Sequence, residues 1–204
     1  MKGTEDRRIL RTKKKLKTAL LQLMEAKELQ QLTITEVTKH ADCNRVTFYS
    51  HYKDLNELLA AVVEDHLDGL VGYFRKSFQK LERFSSTDVQ RHLPIFEYIY
   101  EHQFIFRLII QGEILPGSQN QFCESLVQVA ATELRLEEES ELDIAALNYF
   151  VTYGSLGFFL YWIKQDFKDS PEIMAGKLAD LHGKMYKGAV VVEDDKGMSH
   201  KSST

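Results

Sequence analysis

"TEVTKHADCNRVTFYSHYKDL", residues 35–55, sets two short helix-like runs on either side of Asp42-Cys43-Asn44. Just ahead of it, Thr33-Ile34-Thr35-Glu36 has the form of a capping box, in which the Thr33 hydroxyl accepts from the Glu36 amide while Glu36 reaches back. Leu32 and Val37 stand where a hydrophobic staple would place them. Beyond the break, Asn44 suits the N-cap of a further helix. Asp42 falls where the turn needs a left-handed residue, a place often taken by Gly. Ile34, Val37 and Ala41 line one face of the first run; Phe48 and Tyr52, four residues apart, line one face of the second. Around this apolar skeleton stand Arg45, Thr47, Tyr49, His51 and Lys53. A core helix has no need of such donors, and a solvated helix has no need of the aromatics.

Two helices joined by a tight turn, the second rich in donors near its start, describe a helix-turn-helix. Its second helix lies in the major groove while the first crosses the backbone. On that reading Arg45, Val46 and Thr47 face bases, offering a guanidinium to guanine, a methyl to thymine and a hydroxyl. Thr33, Tyr49, His51 and Lys53 are placed for phosphates, which fix register without reading sequence. An ordinary pair of packed helices shows the same skeleton, so the pattern alone leaves both readings open. Charge adds weight to the first. Residues 1–53 hold 12 Lys/Arg against 6 Asp/Glu, a net of +6, while the remaining residues hold 14 against 24, a net of −10. A basic head on an acidic body points to a polyanion-facing N-terminus.

Working outward, helical spacing predicts a first helix over about residues 7–27 on Leu16, Ala19, Leu20, Leu23 and Met24. A fourth helix is expected from 54–55 towards Phe84, then a polar linker at Ser85-Ser86-Thr87. Further helices are expected over 88–101, 103–113, 119–136, 140–167 and 171–187, with breaks at 111–118 and 137–141. Pro171 is tolerated in a first turn. With 3 Pro, 11 Gly and no sustained period-2 alternation in 204 residues, the expected fold is all-α. The expected organisation is a head at 1–68, a larger helical domain at 69–190 and a disordered tail at 191–204. Cys43 and Cys123 make neither a disulfide framework nor a zinc spacing, which suggests a reducing, cytoplasmic setting. The charged start MKGTEDRRILRTKKK is not of signal-peptide type.

The stretch Leu32–Leu59 resembles the DNA-binding head of the TetR family of bacterial transcription regulators. The resemblance rests on Leu32-Thr33-Ile34, Val37, Ala41, Thr47-Phe48-Tyr49, Tyr52 and Leu58-Leu59, and covers about residues 8–68. Around Phe48–Asp54 it is nearest to a subgroup similar to the dihydroxyacetone-kinase activator of Gram-positive bacteria. The resemblance implies a homodimer with two heads on a palindromic operator. It also implies a divergent helical C-terminal domain that carries the dimer interface and often a ligand pocket. It places Asn44, Arg45, Val46 and Thr47 at base-reading positions, Tyr49 at a phosphate contact and Thr33 at a helix-start contact. Two positions depart from the pattern: Asp42 replaces the usual turn Gly, and Leu55 replaces a Lys that would meet a phosphate. Arg11, Lys13 or Lys53 would have to compensate. Otherwise the chain is a protein-interaction coactivator that kept the fold and binds DNA weakly.

Residues 144–163 run 20 positions without a charge, long enough to span a membrane. Asn148, Thr152, Ser155, Gly154 and Gly157 argue instead for a core helix, with the last two helices forming a homodimer interface. Among the inner-face aromatics, Phe104, Tyr149, Tyr153 and Trp162 are candidate lining for a pocket that takes a small apolar or aromatic effector. Seven histidines fall in no metal-ligand spacing, and no phosphate loop or nucleophile elbow is present. No enzyme, cofactor, metal or membrane partner is therefore expected. The expected function is a sequence-specific, homodimeric DNA-binding regulator, a repressor rather than an activator.

Overall fold

Apolar residues spaced three and four apart start the chain as a helix, and polar ones carry it further than their spacing predicts. In the computed structural model, which describes residues 2–136 and 143–191, helix α1 spans Lys2–Met24. It begins ahead of the predicted residue 7, because a helix once nucleated extends through charged residues at little cost. It ends at Met24, and a 3-10 turn at Leu29–Gln31 follows. Chain contacts separate two units, residues 1–66 and 67–204.

In the first unit, α2 spans Ile34–His40, α3 spans Arg45–Tyr49, and α4, Leu55–Lys76, opens. The capping box is formed: Thr33 N donates to Glu36 Oε2 at 2.9 Å, and Glu36 N donates to Thr33 Oγ1 at 3.2 Å. With Lys27 and then Thr33 as donors, the Glu36 carboxyl is held down at about 2. Thr33→Ala is expected to cost the head about 1 kcal/mol and to move the Glu36 titration upward; a chemical-shift titration together with a urea melt reads both.

Asp42 takes φ 52, as the turn demands. Cys43 N donates to Thr38 O at 3.0 Å and Asp42 N to Lys39 O at 3.3 Å, which is the Schellman pattern. A carboxylate at a helix C-terminus opposes the macrodipole, and Lys15, 3.6 Å from Asp42, offsets it. Leu16, Leu20, Val37, Phe48, Leu58 and Leu59 are fully buried and make this unit's core.

The second unit departs from the predicted elements in three places. Helix α4 stops at Lys76 rather than reaching Phe84. Arg83–Ser85 is strand β1, so Ser85 is no linker residue, and Ser86 is buried. Strand β2, Leu134–Leu136, and strand β3, Gly188–Val191, complete a small antiparallel sheet in the order β1-β3-β2. Phe84 pairs with Ala189, and Leu134 with Val191. Strands of three or four residues are too short to show a period in the sequence. Phe84 and Ala189 become core by packing with Phe78 and Val129. The sheet remains a minor addition to an all-α fold.

The remaining helices are α5 Val89–Glu101, α6 Gln103–Gln111, α7 Ser118–Glu133, α8 Ile144–Lys164 and α9 Pro171–Gly183. Helix α5 packs on α9, and α7 on α8. Phe96, Phe106, Phe122, Phe159 and Trp162 build the core, with Phe96 4.9 Å from Phe159 and 5.3 Å from Trp162 by ring centroid. The predicted break at 137–141 and all but the first residue of the expected tail lie outside the described residues.

Helix α8 is long and apolar enough to cross a membrane by length and composition alone. One face, with Thr152, Leu156, Phe159, Trp162 and Ile163, is buried in its own unit. On another, Phe150, Gly154, Gly157 and Tyr161 recur at i, i+4, i+7 and i+11. Phe150 is 67% exposed and Tyr161 50%. Among the described residues outside the helix's own backbone, no atom lies within 4 Å of a Cβ built at either glycine.

Candidate nucleic-acid interface and effector cavity

The head presents α3 as a five-residue helix fixed at its start. Asn44 Oδ1 accepts from Thr47 N at 2.8 Å and from Thr47 Oγ1 at 3.0 Å. Asn44 and Thr47, both at predicted base-reading positions, thus use their carbonyl and hydroxyl hydrogen to cap the helix. Arg45 and Val46 are left projecting, with Val46 79% exposed. Tyr49 is exposed one turn on. The Arg45 guanidinium lies 5.9 Å from the Tyr49 ring centroid, and its Nη2 reaches the Tyr49 hydroxyl at 3.4 Å.

Of the predicted phosphate-side residues, Thr33 donates its hydroxyl to Glu36 Oε2 at 2.9 Å. Tyr49 and Lys53 are exposed, while His51 is half-buried with its ring 6.4 Å from that of Tyr52. Phe48 sits under α3 with its ring 5.6 Å from Tyr49 and 6.0 Å from Tyr52. The Tyr52 hydroxyl is buried without a hydrogen-bond partner among the described residues, and burial, then Asp65 and Glu57, push it up to about 12. Arg11, Lys14 and Lys15 of α1 border a groove that also meets His40 at the end of α2. Leu55 is half-buried at the start of α4, where Asp54 caps Glu57 N at 2.9 Å and Glu57 accepts from Lys53 N at 2.5 Å. Two carboxylates therefore occupy the helix start where a phosphate would find amides.

The second unit encloses a cavity of about 100 Å³, room for a small organic molecule rather than a single water. None of Phe104, Tyr149, Tyr153 and Trp162 lines it. Trp162 is core, its Nε1 donating to Asp169 O at 2.9 Å. Tyr149 and Tyr153 point their hydroxyls at α7, to Glu124 at 3.1 Å and Asn120 at 3.1 Å respectively. Phe104 is half-buried elsewhere. The walls are instead mostly apolar residues of α4, α5, α7, α8, α9 and the three strands, around the buried Arg91, His92 and His182 and the half-buried Ser155 and Tyr186, with the exposed Arg135 of β2 also on the wall. Burial, then Arg91 and His182, holds His92 down at about 3; burial, then Arg91, holds His182 at about 4. The sequence did carry a signal: Arg91 and His92 share helical faces with Ile95, Phe96, Tyr98 and Ile99, which puts polar groups among core residues.

Comparison with known proteins agrees with this architecture. Residues 90–183 match the TetR-type family described as "Transcriptional regulator C-terminal region". The chain is 25% identical over 171 residues to YxbF of Bacillus subtilis strain 168, described as an uncharacterized HTH-type transcriptional regulator. That alignment covers 81% of this chain and 43% of YxbF, so the chain spans less than half the length of that relative. In fold it is similar to a TetR transcriptional regulator from Streptococcus agalactiae 2603V, with a TM-score of 0.61 at 18% identity over 89% of this chain and 98% of that one. It is also similar in fold to the dihydroxyacetone kinase operon activator DhaS, with a TM-score of 0.54 at 15% identity over 86% and 98% of the two chains. With a capped helix-turn-helix head and a C-terminal region that matches a TetR-type family over residues 90–183, the chain is similar to the TetR family of transcription regulators.

Proposed function

We propose that this protein is a cytoplasmic, homodimeric repressor that binds a palindromic operator and is released or retained by a small apolar-bodied effector. The observation that carries the reading is α3: a helix pinned by Asn44, with Arg45, Val46 and Tyr49 left outward. Residues 1–68 serve as the DNA-binding domain, with Asn44–Thr47 towards bases and Thr33, Tyr49, His51 and Lys53 towards phosphates. Residues 69–190 serve for dimerisation and effector binding. The Phe150–Tyr161 stripe of α8, with Ile173 and Leu181 exposed on α9, supplies an apolar face of the kind a symmetry mate covers. A dimer sitting on its operator excludes other proteins from that DNA, which is repression. For an effector to act, its affinity must differ between the DNA-competent and incompetent states.

Selection of bound duplexes from random DNA tests the reading. A palindromic site is expected. Arg45→Ala should cost about 1–3 kcal/mol and relax preference at one base pair of each half-site. Tyr49→Phe should weaken all sequences alike. Enrichment of no sequence at low salt would sink the proposal.

One observation favours a second reading, a protein-interaction coactivator: Leu55, Asp54 and Glu57 leave the start of α4 without the phosphate-binding cation. Salt dependence separates the two, since phosphate contacts release counterions and a protein partner does not. A steep loss of DNA affinity between 50 and 200 mM salt supports the DNA reader.

A further inference from the structure

Arg91 is 5% exposed and lines the cavity of the second unit. Its guanidinium offers five N–H donors in a planar fork. The Tyr186 hydroxyl, 3.1 Å from Nη2, accepts one of them. The 3.5 Å approach of Nη2 to His92 Nε2 is not a second bond. That nitrogen lies 3.1 Å from Ser86 O, which only accepts, so it carries a hydrogen of its own. Among the described residues, Arg91 Nε has no hydrogen-bond partner.

The neighbours have nothing to spare. Ser155 Oγ donates to Val151 O at 2.8 Å, and so accepts from His182 Nε2 at 3.1 Å. His182 Nδ1 is then the acceptor facing the Tyr186 hydroxyl at 3.5 Å. Both histidines stay neutral, because burial holds their titration far below the usual range. Among the described residues no carboxylate lies within 4 Å of the guanidinium. Among the described residues it is the ring of Phe84, 4.1 Å away, that answers its charge. A buried, unpaired cation is costly to a fold, and a bound counter-ion removes the cost.

We propose that the cavity binds a small amphiphilic monoanion, an acyl or aryl carboxylate, with its carboxylate on Arg91 and its apolar body against Ile95, Val151, Phe159 and Leu178. This rests on the reading of the cavity as the effector site and names the chemistry of that effector. Among the described lining residues Arg91 is the one buried cation, Arg135 being exposed to solvent, so the buried end of the cavity calls for a single negative charge and a phosphate monoester would leave a surplus there. The planar fork of a guanidinium also matches the two oxygens of a carboxylate.

The test is calorimetric titration and thermal shift on the full chain with hexanoate, octanoate, decanoate and 4-phenylbutyrate. Each is matched against the alcohol of equal length and against hexyl phosphate. At least one carboxylate is expected to bind tenfold or more tighter than its alcohol and its phosphate. Arg91→Met keeps the volume and removes the charge; it should melt higher than the parent without ligand and lose the preference for carboxylate over alcohol. Should that variant not fold, Arg91→Lys, which keeps the charge without the fork, should lower the ratio at least threefold. Equal binding of acid and alcohol by the unaltered protein, tighter binding of the phosphate, or no shift with any carboxylate would each overturn the proposal. A carboxylate that binds without changing operator affinity would support the site while removing effector control. Failure of every carboxylate with operator binding intact would remove this inference and leave the DNA-binding reading standing.

Discussion

Lowering the pH from 7 to 5 is expected to cost the second unit about 2 kcal/mol for each of His92 and His182, and about 3 kcal/mol each by pH 4. The folded-state values are about 3 and about 4, against 6.5 for an exposed histidine. Above pH 6.5 neither the folded nor the unfolded chain binds these protons, and the stability is intact. As the pH falls below 6.5 the unfolded chain takes them up and the folded one does not, so stability drains until the folded values are reached. The groups around the pair, Arg91, Tyr186, Ser155 and Ser86, include no carboxylate to reverse the sign. The head does not share this window: Glu36, held down at about 2, loses its contribution only below about 4.5. Typical domains have about 5–15 kcal/mol in all, so the combined loss is a large share of the unit's stability. Urea midpoints at pH 7, 6, 5 and 4 read it, and His92→Gln with His182→Gln should flatten the slope between pH 6.5 and 4.5. A midpoint that stays constant over that range in the parent protein would show that the pair is not buried neutral.

Phe150→Glu is expected to turn a dimer into monomers and to lower operator affinity by roughly 10²–10⁴, the advantage that linking two heads confers. Phe150 is 67% exposed in the single chain, so its replacement leaves the fold of each protomer intact. In a two-fold interface the stripe meets itself, and each new carboxylate would lie in an apolar contact without a partner. The open space at the two glycines would accept a partner's Phe150 or Tyr161 ring in such an interface. Sedimentation at micromolar concentration, alongside a DNA titration, measures both effects. A Phe150→Glu protein that still sediments as a dimer would place the interface elsewhere.

The helix-turn-helix head was legible because its instructions are local. Thr33 and Glu36 cap α2, Asn44 caps α3, and Asp42 takes the left-handed turn, all within a few residues of one another. What the sequence did not convey even there is how the polar groups are spent: Asn44 and Thr47 serve the cap. The length of α4 was misjudged because its apolar stripe continues past Lys76, while pairing of Arg83–Ser85 with Gly188–Val190 draws that stretch into a strand. The cavity was missed for the opposite reason. Aromatic residues were sought on inner faces, and Trp162 fills the core while Tyr149 and Tyr153 turn to Glu124 and Asn120.

By itself the sequence determined the all-α class, the helix-turn-helix, its caps and the uneven charge, since capping boxes, turn residues and 3.6-residue spacing act over one or two turns of chain. Tertiary structure alone decided the small sheet, the buried cluster around Arg91 and the bare apolar stripe of α8. Those depend on residues as far apart as Arg91 and Tyr186, or Ser155 and His182. Whether a charge is paired and a surface covered is settled only once distant segments have packed.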